Sequence, residues 1–210
     1  MASTINALTG SGGVATSADA TGVLDLQSAG TTIATVSSAG IAMASGKTLT
    51  GDAISNGKIL QVVQTTKTDT FSTTTAIPSF TTVTGVSATI TPSATSSKIL
   101  VMVNGGIGNG GTNYSMGVNL LRGSTSIYQG DARGSSTRAS AFAKNVGATG
   151  GCEQYAINYL DSPNTTSATT YALQAGTESG GTAVIGGSSA SGGSFNGSVP
   201  TNIILMEVSG

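Results

Sequence analysis

Residues 155–175 read Y-A-I-N-Y-L-D-S-P-N-T-T-S-A-T-T-Y-A-L-Q-A. Tyr155, Ile157 and Tyr159 fall on one face of an extended segment, and Ala156, Asn158 and Leu160 on the other, the period of two that marks a strand. Asp161-Ser162-Pro163-Asn164 then supplies turn chemistry: Asp and Asn bond readily to nearby backbone, and proline fixes φ and removes a donor. Alternation resumes through Thr170, Tyr171, Ala172 and Leu173. The stretch therefore reads as two strands joined by a non-helical loop, and a β-sandwich is expected around them.

Working outward, further strands are expected over 59–66, 82–91, 98–104, 114–121, 126–129, 139–145 and 202–208. Val86, Ala88 and Ile90 share one face, as do Met116, Val118 and Leu120. The first and last of these strands are expected to lie near each other if the sandwich closes. Turns are marked at Thr91-Pro92-Ser93 and Arg122-Gly123-Ser124, and no run of ten residues reads as a helix. Short strands at this spacing argue for an all-β, antiparallel sandwich or jelly roll. The runs 98–103 and 202–208 carry apolar residues on both faces, which suits strands covered on both sides, by a second sheet or by another subunit.

The first 57 residues have a different texture. Residues 1–22 hold isolated apolar positions, Ile5, Leu8 and Val14, among small polar ones. Residues 23–57 alternate short apolar pieces with small-residue turns, with Gly22, Gly30 and Gly40 about ten apart. Strands this short bury too little to hold alone, so a shared core wound from several identical chains is expected, forming a β shaft. The division expected is an N-terminal segment over 1–22, the shaft over 23–57 and a C-terminal sandwich module over 58–210.

Composition excludes several classes. Charged residues are 8% of the 210-residue chain, against about 25% in ordinary globular domains. Lys and Arg number 8 and Asp and Glu 9, with neither sign clustered, so no nucleic-acid partner is expected. No apolar run approaches the ~20 residues of a membrane helix, and no export signal or membrane insertion is expected. Histidine is absent, which removes Ser-His-Asp and Cys-His catalysis and imidazole metal sites, and no cofactor is expected. Cys152, the single cysteine, reads as a small half-buried thiol.

Asp131, Glu153, Asp161 and Glu178 are the carboxylates from which a glycan-cleaving pair would be drawn. Without tryptophan to stack a sugar ring, that reading is the weaker one, and Asp161 is expected to serve its turn. The run Gly105-Gly106-Ile107-Gly108-Asn109-Gly110-Gly111 lacks the Lys-Ser/Thr of a phosphate loop and reads as a flexible surface loop. Arg133 and Arg138 share an exposed stretch with Asp131 and Tyr128, which reads first as a solvated loop and second as a surface suited to a glycan or acidic sugar. Tyr114 and Phe195 complete the candidate binding residues, Phe195 as either a core plug or an exposed anchor in the Gly/Ser-rich run 176–197.

Three passages resemble bacteriophage tail-fibre and related virion-fibre proteins, particularly the short fibres of marine and freshwater phages. They are M-A-S-T-I-N-A-L-T-G-S-G-G-V with T-G-V-L-D-L-Q-S-A-G-T-T-I-A-T-V-S-S-A-G-I-A-M, then Y-L-D-S-P-N-T-T-S-A-T-T-Y, and the closing N-I-I-L-M-E-V. The resemblance implies a parallel homotrimer assembled in the host cytoplasm, an N-terminus docked to other virion proteins and a knob facing a host-surface glycan or protein. Two alternatives stand beside it: a capsid, neck or baseplate decoration making only virion contacts, and an envelope-polysaccharide depolymerase. The leading expectation is a non-enzymatic, host-recognising fibre.

Overall fold

The computed structural model describes residues 23–47, 58–110, 113–144, 151–188 and 197–210. Among them there are fourteen strands and no helix. The chain divides into two compact units, Met1–Ser55 and Asn56–Gly210.

The first unit is a three-stranded antiparallel sheet of β1 (Leu24–Ser28), β2 (Thr31–Ser37) and β3 (Gly40–Met43) in chain order. Ala29 and Gly30 join β1 to β2 at φ 49° and 75°. Both central residues in the left-handed region match the twist of a two-residue hairpin, although alanine pays a steric cost there that glycine does not. Of its described residues only Ala34 is buried, while Ile41 is 65% exposed. The short strands expected in this region are present.

The second unit is a β-sandwich. One layer, the β7 sheet, contains β4 (Ile59–Lys67), β5 (Phe71–Thr73), β7 (Lys98–Asn109), β11 (Cys152–Asp161), β13 (Ala183–Ile185) and β14 (Thr201–Val208). The long strand β7 is flanked by β11 on one side and by β14 and then β13 on the other, with β4 and β5 beyond them. The β8 sheet contains β6 (Thr81–Ile90), β8 (Ser115–Arg122), β9 (Thr125–Ile127), β10 (Ala141–Lys144) and β12 (Thr169–Thr177). Here β8 lies between β12 and the pair β9 and β10, and β6 adds to β12. The first and last strands of the unit, β4 and β14, pair as the sequence suggests.

The core is the sum of the two inward faces. Val86, Ala88 and Ile90 of β6 and Met116, Val118 and Leu120 of β8 meet Ile99, Val101 and Val103 of β7 and Ile203 and Leu205 of β14, all at most 5% exposed. Each such large side chain contributes roughly 1.5–3 kcal/mol by leaving water. Strands β11 and β12, the two read from residues 155–175, do not pair with one another. They stand in opposite layers, with the loop between them crossing from sheet to sheet.

Three expectations need correction. The glycine run is not a surface loop: through Asn109 it is the second half of β7, buried from Gly105 onward. A Cβ on Gly105 would stand 2.6 Å from Thr201 Oγ1, one on Gly106 would stand 2.5 Å from Cys152 Sγ, and one on Gly108 would collide with the Gly187 carbonyl. Glycine is there because chain packs on both faces of the strand. Within 176–197, Ala183–Ile185 is a buried strand rather than part of a flap.

Asp161, expected to serve its turn, is 3% exposed and joins the two sheets instead. Arg122 Nη1 donates to its two oxygens at 2.8 and 2.9 Å, and the buried Tyr171 hydroxyl donates to Oδ2 at 2.6 Å. Burial, reinforced by the Asp161 carboxylate, pushes the Tyr171 phenol well above its ordinary pKa. A second buried acid, Glu207 of β14, accepts from the Ser93 backbone N–H and hydroxyl at 2.7 and 2.6 Å and from Gln61 Nε2 at 2.6 Å. Burial pushes its carboxyl up, but hydrogen bonds from Ser93, Gln61 and Ser97 outweigh that and hold it down at about 2.

Candidate functional site

The outer face of the β8 sheet starts from a bare patch. Gly117 of β8 and Gly176 of β12 are direct cross-strand partners. A Cβ on Gly176 would stand 2.7 Å from the Ser79 carbonyl oxygen, and one on Gly117 would stand 3.2 Å from the Phe80 ring and 3.3 Å from the Phe142 ring. The missing side chains let the segment before β6 lie flat across the sheet, held by Ile77 N–H to Thr177 O at 2.8 Å and Thr177 N–H to Thr75 O at 2.9 Å.

Two residues along, the next outward pair on the same strands is Asn119 and Gln174, again directly opposed. They floor a concavity of about 500 Å³. Phe80 and Pro78 form one wall; Ser126, Gln129 and the stretch Ser135-Ser136-Thr137-Arg138 form the other. Asn119 is 2% exposed, and its Oδ1 accepts from Gln129 Nε2 at 3.2 Å. The second wall is tied down by Gln129 Nε2 to Arg138 O at 3.3 Å and Arg138 Nε to Gly130 O at 2.6 Å. The lining contains no carboxylate.

Of the residues singled out from sequence, Arg138 lines this concavity. Tyr128, at φ 54° and 47% exposed, stacks on Tyr159 of β11 with ring centroids 5.1 Å apart. Asp131 and Arg133 are exposed on the same loop, and neither makes an ion pair with a described residue. Tyr114 is half-buried over the turn at Gly180 and Gly181, where a Cβ on Gly181 would stand 2.9 Å from its ring. Phe195 lies outside the described residues. Asn119, Gln174, Gln129 and Phe80 were missed, although alternation about Val118 and Leu173 places Asn119 and Gln174 on the face away from the core.

A smaller concavity of about 380 Å³ lies beside Arg122, Pro163 and Thr165. Its cation is already committed to Asp161.

The outer face of the β7 sheet is of another kind. Strand register lines up Val62, Met206, Leu100 and Leu160 across β4, β14, β7 and β11 in one row. The next rows are Gln64, Ile204, Met102 and Asn158, then Thr66, Asn202, Asn104 and Ala156. No charge stands in these three rows. Val62 is 55% and Leu160 49% exposed, and Ile59 and Leu60 at the start of β4 are 52% and 41% exposed.

No family model matches this sequence, and no curated protein matches it. Among solved structures the chain is similar to the infectious bursal disease virus VP2 subviral particle, at 17% identity and a TM-score of 0.38, over 70% of this chain and 37% of that one. It is similar also to the structure of the Gx strain of that virus, at 16% identity and a TM-score of 0.39, over 89% of this chain and 43% of that one. The chain thus spans about two fifths of the length of the proteins it matches. With scores this low, no role for the chain follows from the likeness.

Proposed function

We propose that the chain is a non-enzymatic virion fibre protein: a parallel homotrimer with residues 1–22 on other virion proteins, a shaft over 23–57 and a jelly-roll-like knob over 58–210 facing the host surface. The observation that carries this reading is apolar sheet surface with no partner among the described residues. In the first unit Leu24, Leu26, Ile33, Val36 and Met43 are only half-buried and Ile41 is exposed. In the second, an uncharged face four strands wide lies open. Identical chains meeting through such surfaces would bury apolar area without bringing like charges together. The fibre-like passages at 1–14, 21–43, 159–171 and 202–208 point the same way.

Host contact is assigned to the concavity on the β8 sheet, whose lining without carboxylates suits binding rather than glycosidic cleavage. Light scattering on the purified chain tests the assembly: a species near three times 20.4 kDa is expected, and a well-folded monomer would overturn the fibre. Blocking phage adsorption with the purified protein tests host contact separately. A decoration making only virion contacts is the second reading, because the uncharged β7 face suits another virion protein as well as a copy of itself. Labelling the protein on particles by electron microscopy separates the two.

A further inference from the structure

The concavity on the β8 sheet has hydrogen-bonding capacity that the protein leaves unused. Asn119 is buried, yet of its amide only Oδ1 has a partner; its Nδ2 has none among the described residues. Gln174, directly opposite and half-buried, makes no side-chain hydrogen bond to a described residue. Two amides on the floor of a cleft hold donors and acceptors that a packed interior would normally satisfy. Above them stand hydroxyls of Ser126, Ser135, Ser136 and Thr137 and the ring of Phe80. Amides and hydroxyls beside one aromatic face suit a sugar, which presents hydroxyls at its edge and C–H groups on its face.

Charge narrows the class further. Arg138 spends Nε on the Gly130 carbonyl, leaving its two terminal nitrogens without a partner among the described residues. Among the described residues no acid lines the cleft, and Arg138 makes no ion pair with any of them. A guanidinium with two free, parallel donors is matched by a carboxylate.

We propose that this cleft binds a saccharide bearing a carboxylate, a uronic or sialic acid residue, with the carboxylate on Arg138, ring hydroxyls on Asn119 and Gln174, and the sugar's apolar face toward Phe80. The proposal deepens the host-contact reading and rests on it only for where the saccharide comes from.

The test is titration of the full-length protein with methyl glucuronide, methyl glucoside and N-acetylneuraminic acid, followed by saturation-transfer NMR. Binding of at least one acidic sugar is expected, with methyl glucoside at least about tenfold weaker. Arg138→Gln is expected to abolish the preference for acid while leaving residual binding, and Gln174→Ala to weaken acidic and neutral sugars alike. Arg133→Gln, on the same loop but outside the cleft, is expected to change nothing. Equal binding of glucuronide and glucoside would overturn the proposal, as would acid binding untouched by Arg138→Gln or no binding up to about 20 mM. Circular dichroism on each variant separates lost folding from lost binding, and Arg138, being exposed, can be changed without disturbing the core. If acidic sugars bind but the protein neither binds host cells nor blocks adsorption, the cleft stands and the host-contact reading falls. If cells are bound while every acidic sugar fails, the reverse holds.

Discussion

The β8 sheet covers its outer face with its own chain, whereas the β7 sheet leaves its outer face open. On the first, paired glycines at 117 and 176 admit the rings of Phe80 and Phe142, and the same surface then deepens into a polar cleft. On the second, four large apolar side chains stand in one row from edge to edge with nothing described above them. Both faces belong to one sandwich around one core, so the fold does not explain the difference. A covered face with a polar cleft is suited to a small ligand, and a flat uncharged face to a broad protein surface.

The largest effect should separate the faces by assembly. Val62→Glu adds a charge at a site already 55% exposed in the single chain, so its cost to the isolated fold is about 0.5 kcal/mol or less. If a second copy covers that face, the same charge is desolvated at a cost of several kcal/mol. The oligomer is expected to dissociate on light scattering while the circular dichroism spectrum is unchanged; an intact oligomer breaks the comparison.

Asp161→Ala tests the link common to both layers. It leaves the buried Tyr171 hydroxyl without its acceptor and the partly exposed Arg122 guanidinium without its ion pair, at an expected cost of roughly 2–4 kcal/mol in urea unfolding. Both faces should loosen, visible as hydrogen exchange rising in β8 and β11 alike. A loss confined to one sheet would mean that Asp161 does not couple them.

Acid should act through the β7 sheet. Glu207 is held at about 2 against an ordinary value of 4.5. A depressed folded-state value means its contribution is complete above about pH 4.5 and is lost as pH falls toward 2. That contribution is roughly 3 kcal/mol at full strength. Glu207→Gln should therefore flatten the loss of stability below pH 4.5; an unchanged acid profile would remove Glu207 as its source.

Gly176→Ala sharpens the other side. Its methyl would press on the Ser79 carbonyl at 2.7 Å, costing about 1–3 kcal/mol of overpacking. The loss should appear in thermal unfolding and leave the oligomer intact. Dissociation instead would place the intersubunit contact on the wrong sheet.

Much of this architecture was legible because alternation survives wherever one face is buried and the other is not. Val86, Ala88 and Ile90, or Met116, Val118 and Leu120, mark their inward faces without help. The glycine half of β7 was misread because local signals treat glycine as punctuation, whereas at 105, 106 and 108 it answers to Thr201, Cys152 and Gly187, all distant in sequence. The three-residue strands β5 and β13 offer too little pattern to be seen. Asp161 follows a strand and precedes a proline, so it looks like a turn residue; only the sheet-to-sheet crossing brings Arg122 to it. Of the binding surface, Arg138 was legible as an exposed cation. The cleft floor carries no such signal, because Asn119 and Gln174 sit in strands, where alternation marks an outward face and not a ligand.

The cleft wall is a loop held at both of its ends. It is closed at the base by Gly130 N–H to Ala139 O at 3.3 Å, and beyond that by Ser140, whose hydroxyl takes the Leu120 N–H at 2.9 Å. Between those clamps, residues 131–136 and 138 are exposed, while the floor lies in strands whose opposite side chains are core. Mutations can therefore accumulate in the wall without touching the packing beneath it. The wall is a short cassette open to rewriting on a platform that stays still while it is rewritten.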